Sequence, residues 1–392
     1  MSRYVLVNVL VMLVLVFAAV TVIGLVVFWP KGKEIPQPVG GQRPKTESAE
    51  VVGVRSAPCA QVAGQRDCVR VSSKLKSGPD KGREVTFTFV SAEGKFEVGD
   101  DVRVYKNDLP PEAVAAGGRV DAYSFSDFER RPPMLWLAAI FAALVLLTGR
   151  WQGLRALAGL AGSLGIIVFF VAPAILEGRS PTGVAFIGAL AVMFVTIPLA
   201  HGIGPKTVSA CLGTAVSLSL TLLLADLFIG FSHLSGITSE ETVFLQATNQ
   251  ELSLQGLLLA GMVIGALGVL DDLTVSQAST VMALRRANPN LGFRELFRSA
   301  LSVGHDHIAA TVNTLVLAYA GASLPILLVF SLADTSLGEA INFEAVAESV
   351  VGMLVGSIGL IAAVPITTAL AALLALRLAE RRLDDAHAAH AH

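Results

Sequence analysis

Apolar positions run unbroken for most of this chain, and polar positions collect between the runs. The first run, "YVLVNVLVMLVLVFAAVTVIGLVVFW", covers residues 4–29. Seven more follow near 134–149, 156–176, 182–200, 207–230, 254–275, 308–331 and 350–376. A bilayer-crossing helix needs about 20 such residues. The pattern therefore predicts eight transmembrane helices. The first run has a longer apolar core than a signal peptide uses, and no small-x-small cleavage site follows it promptly, so it is read as a retained span rather than a cleaved leader.

Between the first two runs the period changes. Residues 30–48 hold Pro, Gly and Lys and read as a linker. Then "AEVVGVRSAPC", "DCVRVSSKL", "REVTFTFV" and "DDVRVY" alternate apolar with polar positions between Gly, Asp and Pro. Short β-branched runs punctuated in this way predict antiparallel strands. About 80 residues suffice for a small, OB-like barrel, a fold that fixes no function. The expected organisation is a first transmembrane helix at 1–30, an extracytoplasmic β domain with linkers at 31–132, a seven-helix transmembrane domain at 133–378 and a disordered cytoplasmic tail at 379–392.

Composition agrees with the pattern. The chain is 53% hydrophobic and 15% charged, against roughly 25% charged in a soluble domain. A net charge of −2 gives no reason to expect nucleic acid. The placement of charge says more. Segments 149–155, 201–207, 284–299 and the tail from Arg377 carry Lys or Arg, whereas 177–183, 238–253 and 333–349 are acidic or nearly neutral. The positive-inside rule puts the basic set, and with it both termini, in the cytoplasm. The basic pair in "RRPP" falls on the outer side, where a long translocated domain escapes the rule.

Cys59 and Cys68 lie in the outer segment, where two hairpin strands could carry a disulfide. Cys211 falls within an apolar span and reads as a small core residue. "GIGPKT" at 202–207 lacks the spacing and the preceding strand of a phosphate loop, so Lys206 marks a membrane boundary and not a nucleotide site. "HAAHAH" at the end of the chain reads as tail.

Charged groups within spans are few, and such groups usually face a cavity or a partner. Asp226 sits late in the 207–230 run. Asp271 and Asp272 stand together late in the 254–275 run, in "GALGVLDDLTVSQAST". His305, Asp306 and His307 open the 308–331 run, and Asn313 lies two turns inside it. Asp272, Ser276 and Ser279 share one helix face, and Asp306, Ala310 and Asn313 share another. Three carboxylates with imidazoles could hold a divalent cation, with Asp271, Asp272, His305, Asp306 and His307 as ligands, or relay protons. Against this stands a structural reading in which Asp272 caps a helix beginning at Leu273. "FRELFRSALSVG" at 293–304 has an apolar and a basic side, as an interfacial helix would. Pro198, Pro325 and Pro365 lie in or beside spans, where broken helices line protein cavities.

The segments "AYSFSDFERRPPMLWLAAIFAALVLLTGRWQGLRAL", "GALGVLDDLTVSQAS" and "VGHDHIAATVNTLVLAYAGASLPILL", following an outer domain, resemble the YibE/F family of bacterial multipass membrane proteins. The resemblance covers nearly the whole chain. It implies a bacterial cytoplasmic membrane location and singles out Asp271, Asp272, Thr274, Ser276, Gln277, Asp306 and Asn313. It names no substrate and no cofactor.

Three functions fit this reading. The first is a secondary transporter or ion-conducting permease for a cation or small solute. The second is a membrane scaffold or sensor that binds an envelope partner through the outer domain. The third is a membrane-embedded, metal-dependent hydrolase. The lipid bilayer is a partner in all three, and small-residue faces permit a homo-oligomer.

Overall fold

The computed structural model describes residues 3–32, 44–57, 68–90, 95–107, 121–333 and 335–389. Two compact units emerge, one of residues 1–39 with 145–392 and one of residues 40–144.

The smaller unit is one antiparallel sheet of β1 (Thr46–Ala57), β2 (Cys68–Leu75), β3 (Glu84–Val90), β4 (Asp101–Lys106) and β5 (Tyr123–Phe128), in the order β3-β2-β1-β4-β5. Alternation works as the sequence implied: Val51, Val71, Phe87, Val102 and Val104 point inward and are fully or almost fully buried. The closed barrel is corrected to an open half-barrel. The sheet curls until β3 and β5 approach, but aromatic rings fill the gap instead of ladder hydrogen bonds. Phe125 packs against Phe87, Phe89, Phe96 and Phe128 at centroid distances of 5.8, 5.1, 5.1 and 5.3 Å. Two bulges, at Val51/Gly53 and Arg103/Val104, bend the strands that curl. Cys68 opens β2 and is buried; Cys59 lies outside the described residues.

Charge pairs tie the margins of this unit. Arg103 donates to Thr46 and Glu129, and hydrogen bonds from Arg131 chiefly hold Glu129 down at about 2. The buried Tyr123 hydroxyl donates to Asp80 at 2.9 Å. Burial, reinforced by that bond, pushes the phenol up to about 12.

The larger unit is helical. Its elements are α1 (Arg3–Phe28), α2 (Arg131–Ile166, whose first residues belong to the smaller unit), a π-helical turn (Ile167–Val171), α3 (Ala172–Leu176), α4 (Pro181–His201), α5 (Pro205–Phe231), α6 (Glu240–Thr248), α7 (Leu254–Ala287), α8 (Phe293–Ala322), α9 (Leu324–Leu332), α10 (Leu337–Asn342) and α11 (Glu344–Ala389). Six helices among the described residues are long and apolar enough to cross a membrane, or seven if α8 and α9, bent by 58°, form one span. The number of long apolar helices is therefore below the expected eight: the runs at 134–149 and 156–176 share one 46-residue apolar stretch, Arg131–Leu176, in which a turn at Arg150 stands in place of a loop.

Only Arg150 leaves helical geometry in that stretch, at φ 49° and ψ −123°. A Cβ on Gly153 would lie 2.3 Å from the Val145 carbonyl oxygen. Residues eight apart in a straight helix stand about 12 Å apart along its axis, so the chain folds back on itself here. At the far end, α11 continues to Ala389.

The core lies among α5, α7 and α11. Leu218, Val263, Leu270, Leu360, Val364 and Ala371 are buried there. Small residues bring α5 and α11 close at two mirrored points. A Cβ on Gly213 would meet Thr367 Oγ1 at 1.9 Å, and a Cβ on Gly359 would meet Thr221 Oγ1 at 2.0 Å. Each helix offers a Gly and, eight residues on, a Thr, so the antiparallel pair interlocks twice. Close approach of small residues is how helices associate where lipid removes the hydrophobic drive.

Candidate functional site

Asp271 and Asp272 lie in mid-helix. α7 runs unbroken from Leu254 to Ala287, so neither residue caps a helix starting at Leu273. Seventeen residues separate Leu254 from Asp271, which places the acid about 25 Å along the axis from the helix start.

Both acids line a cavity of about 360 Å³ between α4, α7 and the segment from Ser163 to Val171. α4 and α7 run parallel, because Pro181 lies against Gly256 and Thr196 against Asp271. The walls accordingly change character along the helices. Gly188, Ala189 and Val192 of α4 face Ile264 and Leu267 of α7 first; Thr196, His201, Asp271 and Asp272 come after.

Asp271 is the deeper acid. Its Oδ2 accepts a hydrogen bond from Thr196 Oγ1 at 2.9 Å. Its Oδ1 is buried and has no hydrogen-bonding partner in the protein. Thr196 Oγ1 also lies 2.9 Å from the Val192 carbonyl oxygen. A hydroxyl has one proton, so this geometry serves two states. When Asp271 is ionised, Thr196 donates to it. When Asp271 carries a proton, it can donate to Thr196, whose own proton turns to Val192. Asp272 is exposed at the edge of the cavity. His201, at the end of α4, lines the same space, and its Nδ1 lies 3.3 Å from Lys206 Nζ.

Thr274 and Gln277 do not reach the cavity lining. Thr274 Oγ1 is 2.6 Å from Thr214 Oγ1 of α5. Gln277 is fully buried; its Nε2 donates to the Ala300 carbonyl at 2.9 Å and to Thr368 Oγ1 at 2.7 Å, joining α7 to α8 and α11. Both fasten helices. Ser276 is half-buried next to them, also outside the cavity lining.

The polar residues of α8 do not join the pair on α7. His305, Asp306 and Asn313 are exposed on α8 and none lines the cavity; His307 is half-buried with an unpartnered Nδ1. Asp226 is exposed on α5. Among the described residues no group of three or more His, Cys, Asp or Glu side chains stands where it could hold a metal ion. The ligand set expected from Asp271, Asp272, His305, Asp306 and His307 is not assembled, because Asp306 and His305 face away from the protein. Cys211 is a buried free thiol packed in the core.

Sequence reasoning passed over Thr196, His201 and Ser163. A usable signal was present for Thr196. Ala189, Val192, Thr196 and Ala200 recur at helical spacing on α4, and Thr196 is the polar residue on that face.

The chain is thus a polytopic helical membrane protein with a curled sheet inserted before its second long apolar helix and a cavity bearing carboxylates in its helical unit. Residues 137–377 match the family described as YibE/F-like protein, over half of the chain, and the chain belongs to that family. No curated protein and no solved structure matches it.

Proposed function

We propose that this protein is a secondary transporter or permease for a cation or small solute, and that Asp271 is the group that binds the moving charge. The Thr196–Asp271 pair carries the reading. A buried carboxylate is costly unless a proton or a cation accompanies it. Here one oxygen is held by a hydroxyl that can reverse its hydrogen bond, and the other is unpartnered. Such a group can exchange a proton for a cation without stranding its neighbour.

The charge bias of the loops supports an orientation in which 201–207 and 284–299 face the cytoplasm of a bacterial cell. In this orientation the polar end of the cavity lies toward the cytoplasm, and the sheet unit lies outside, where a Cys59–Cys68 disulfide would form. The scaffold and hydrolase readings have no comparable support.

Reconstituted vesicles test the proposal. Wild-type protein should move a cationic solute in exchange for protons, against the direction of proton flow down an imposed gradient, and Asp271→Asn should abolish that movement while eluting as the same species on size exclusion. Uptake by Asp271→Asn at the wild-type rate would end the proposal.

A further inference from the structure

We propose that the cavity takes an organic cation with an apolar body, such as a hydrophobic amine or quaternary ammonium. This inference rests on the transport reading above and names its substrate class. Four features of the molecule support it.

The first is size. A volume of about 360 Å³ falls within the usual range of small-molecule sites and is far more than a dehydrated metal ion fills. The second is the order of the walls. Ile167, Val171, Val192, Ile264 and Leu267 make an apolar chamber, and Asp271 with Asp272 waits at its polar end. A ligand matched to this order has hydrocarbon at one end and a positive charge at the other. The third is sign. His201 is the sole basic side chain among the lining residues, and two carboxylates oppose it, so an anion is disfavoured. The metal alternative lacks a group of three ligands among the described residues.

The fourth feature lies on the other side of one thin wall. The π-helical turn Ile167–Val171 borders the cavity through Ile167 and Val171. The same turn borders a second, almost wholly apolar crevice of about 550 Å³ through Phe169 and Phe170, with Val22 and Leu25 of α1 and the following Trp29 opposite. Single π turns interrupt the regular helix ladder and occur often at functional sites. Here one separates a hydrocarbon-lined crevice from a chamber bearing carboxylates. An amphiphilic cation could lodge its apolar part along this wall and its charge at Asp271.

The test uses full-length protein in lipid nanodiscs and equilibrium binding of benzyltrimethylammonium. Neopentylbenzene is the neutral isostere, tetramethylammonium the cation without an apolar body, and Mg²⁺ and Zn²⁺ the metal probes. The proposal expects saturable binding of benzyltrimethylammonium, at least tenfold tighter than either organic control. Asp271→Asn should weaken it at least tenfold. Val192→Phe, which fills the chamber and leaves the charge in place, should weaken it similarly.

Binding that Asp271→Asn leaves unchanged would be partition into lipid and would overturn the proposal. Metal binding that depends on Asp271, without organic-cation binding, would overturn the substrate class and leave the transport reading standing. Loss of neither class of cation on Asp271→Asn would overturn both.

Discussion

The two adjacent acids should differ in their effect on cation binding, and burial sets the difference. Asp271 sits behind Thr196 with Oδ1 buried; Asp272 is exposed. A cation about 4 Å from a carboxylate gains about 4 kcal/mol at an effective dielectric of about 20, and about 1 kcal/mol in bulk water. Replacing Asp271 by Asn should therefore weaken binding by about a thousandfold, and replacing Asp272 by Asn by about fivefold. Fold stability should change little in either case. In Asp271→Asn the amide can still accept from Thr196, and the cost of desolvating an ionised group disappears. Isothermal titration of each variant with an organic cation at alkaline pH reads both numbers, and thermal unfolding supplies the stability control. Asp306→Asn, exposed on α8, should leave binding within twofold. Equal losses at 271 and 272, or a larger loss at 306, would refute the reasoning from burial.

Three further outcomes follow from the packing. Gly213→Ala or Gly359→Ala should each cost about 1–3 kcal/mol through overpacking, because the new methyl meets Thr367 or Thr221 across the α5–α11 joint; Gly230→Ala, with open space around it, should be neutral in the same thermal melt. Gln277→Leu should cost about 1–3 kcal/mol by removing the two hydrogen bonds that Gln277 donates to the Ala300 carbonyl and Thr368, and hydrogen exchange should quicken in residues 296–304. In the sheet unit, Tyr123 should ionise near 12 while an unfolded tyrosine ionises near about 10. The neutral phenol is the favoured folded form, so its contribution to stability is complete below about pH 10 and disappears as the pH rises through 12. The phenolate absorbance of wild type minus Tyr123→Phe measures it.

The membrane class, the inserted strands and the presence of an Asp pair on a long apolar helix were legible because each rests on local pattern. An apolar run of 20 residues means the same thing in any context, and alternation in β1 to β4 sorts inward from outward positions. What failed needed geometry at longer range. Asp272 followed by Leu-Thr-Val satisfies the local chemistry of a cap, yet packing of Leu270, Leu273 and Val281 on both sides of it carries α7 through. Two runs separated by "GRWQGLR" suggest a loop, yet the change of direction is concentrated at Arg150 and needs no unwound segment. Asp306 and Asp271 carry similar chemistry, but helix rotation decides which faces inward, and α8 turns Leu296, Ala300 and Gly304 to the core instead. Thr274 and Gln277 came from family resemblance alone, and their contacts explain them as fasteners between helices. His201 was read only as part of a basic loop, since nothing local says that the end of α4 reaches the level of Asp271.

A single exchange at Asp271, in which a bound cation replaces a proton, is the central step of the proposed function. Calorimetry of benzyltrimethylammonium binding in two buffers with different ionisation enthalpies measures it directly. The wild-type heat should differ between the buffers by an amount that reports proton release, and that difference should vanish in Asp271→Asn while surviving in Asp272→Asn. Heats that agree between buffers for the wild type across its pH range, or a buffer difference that persists in Asp271→Asn, would contradict the account.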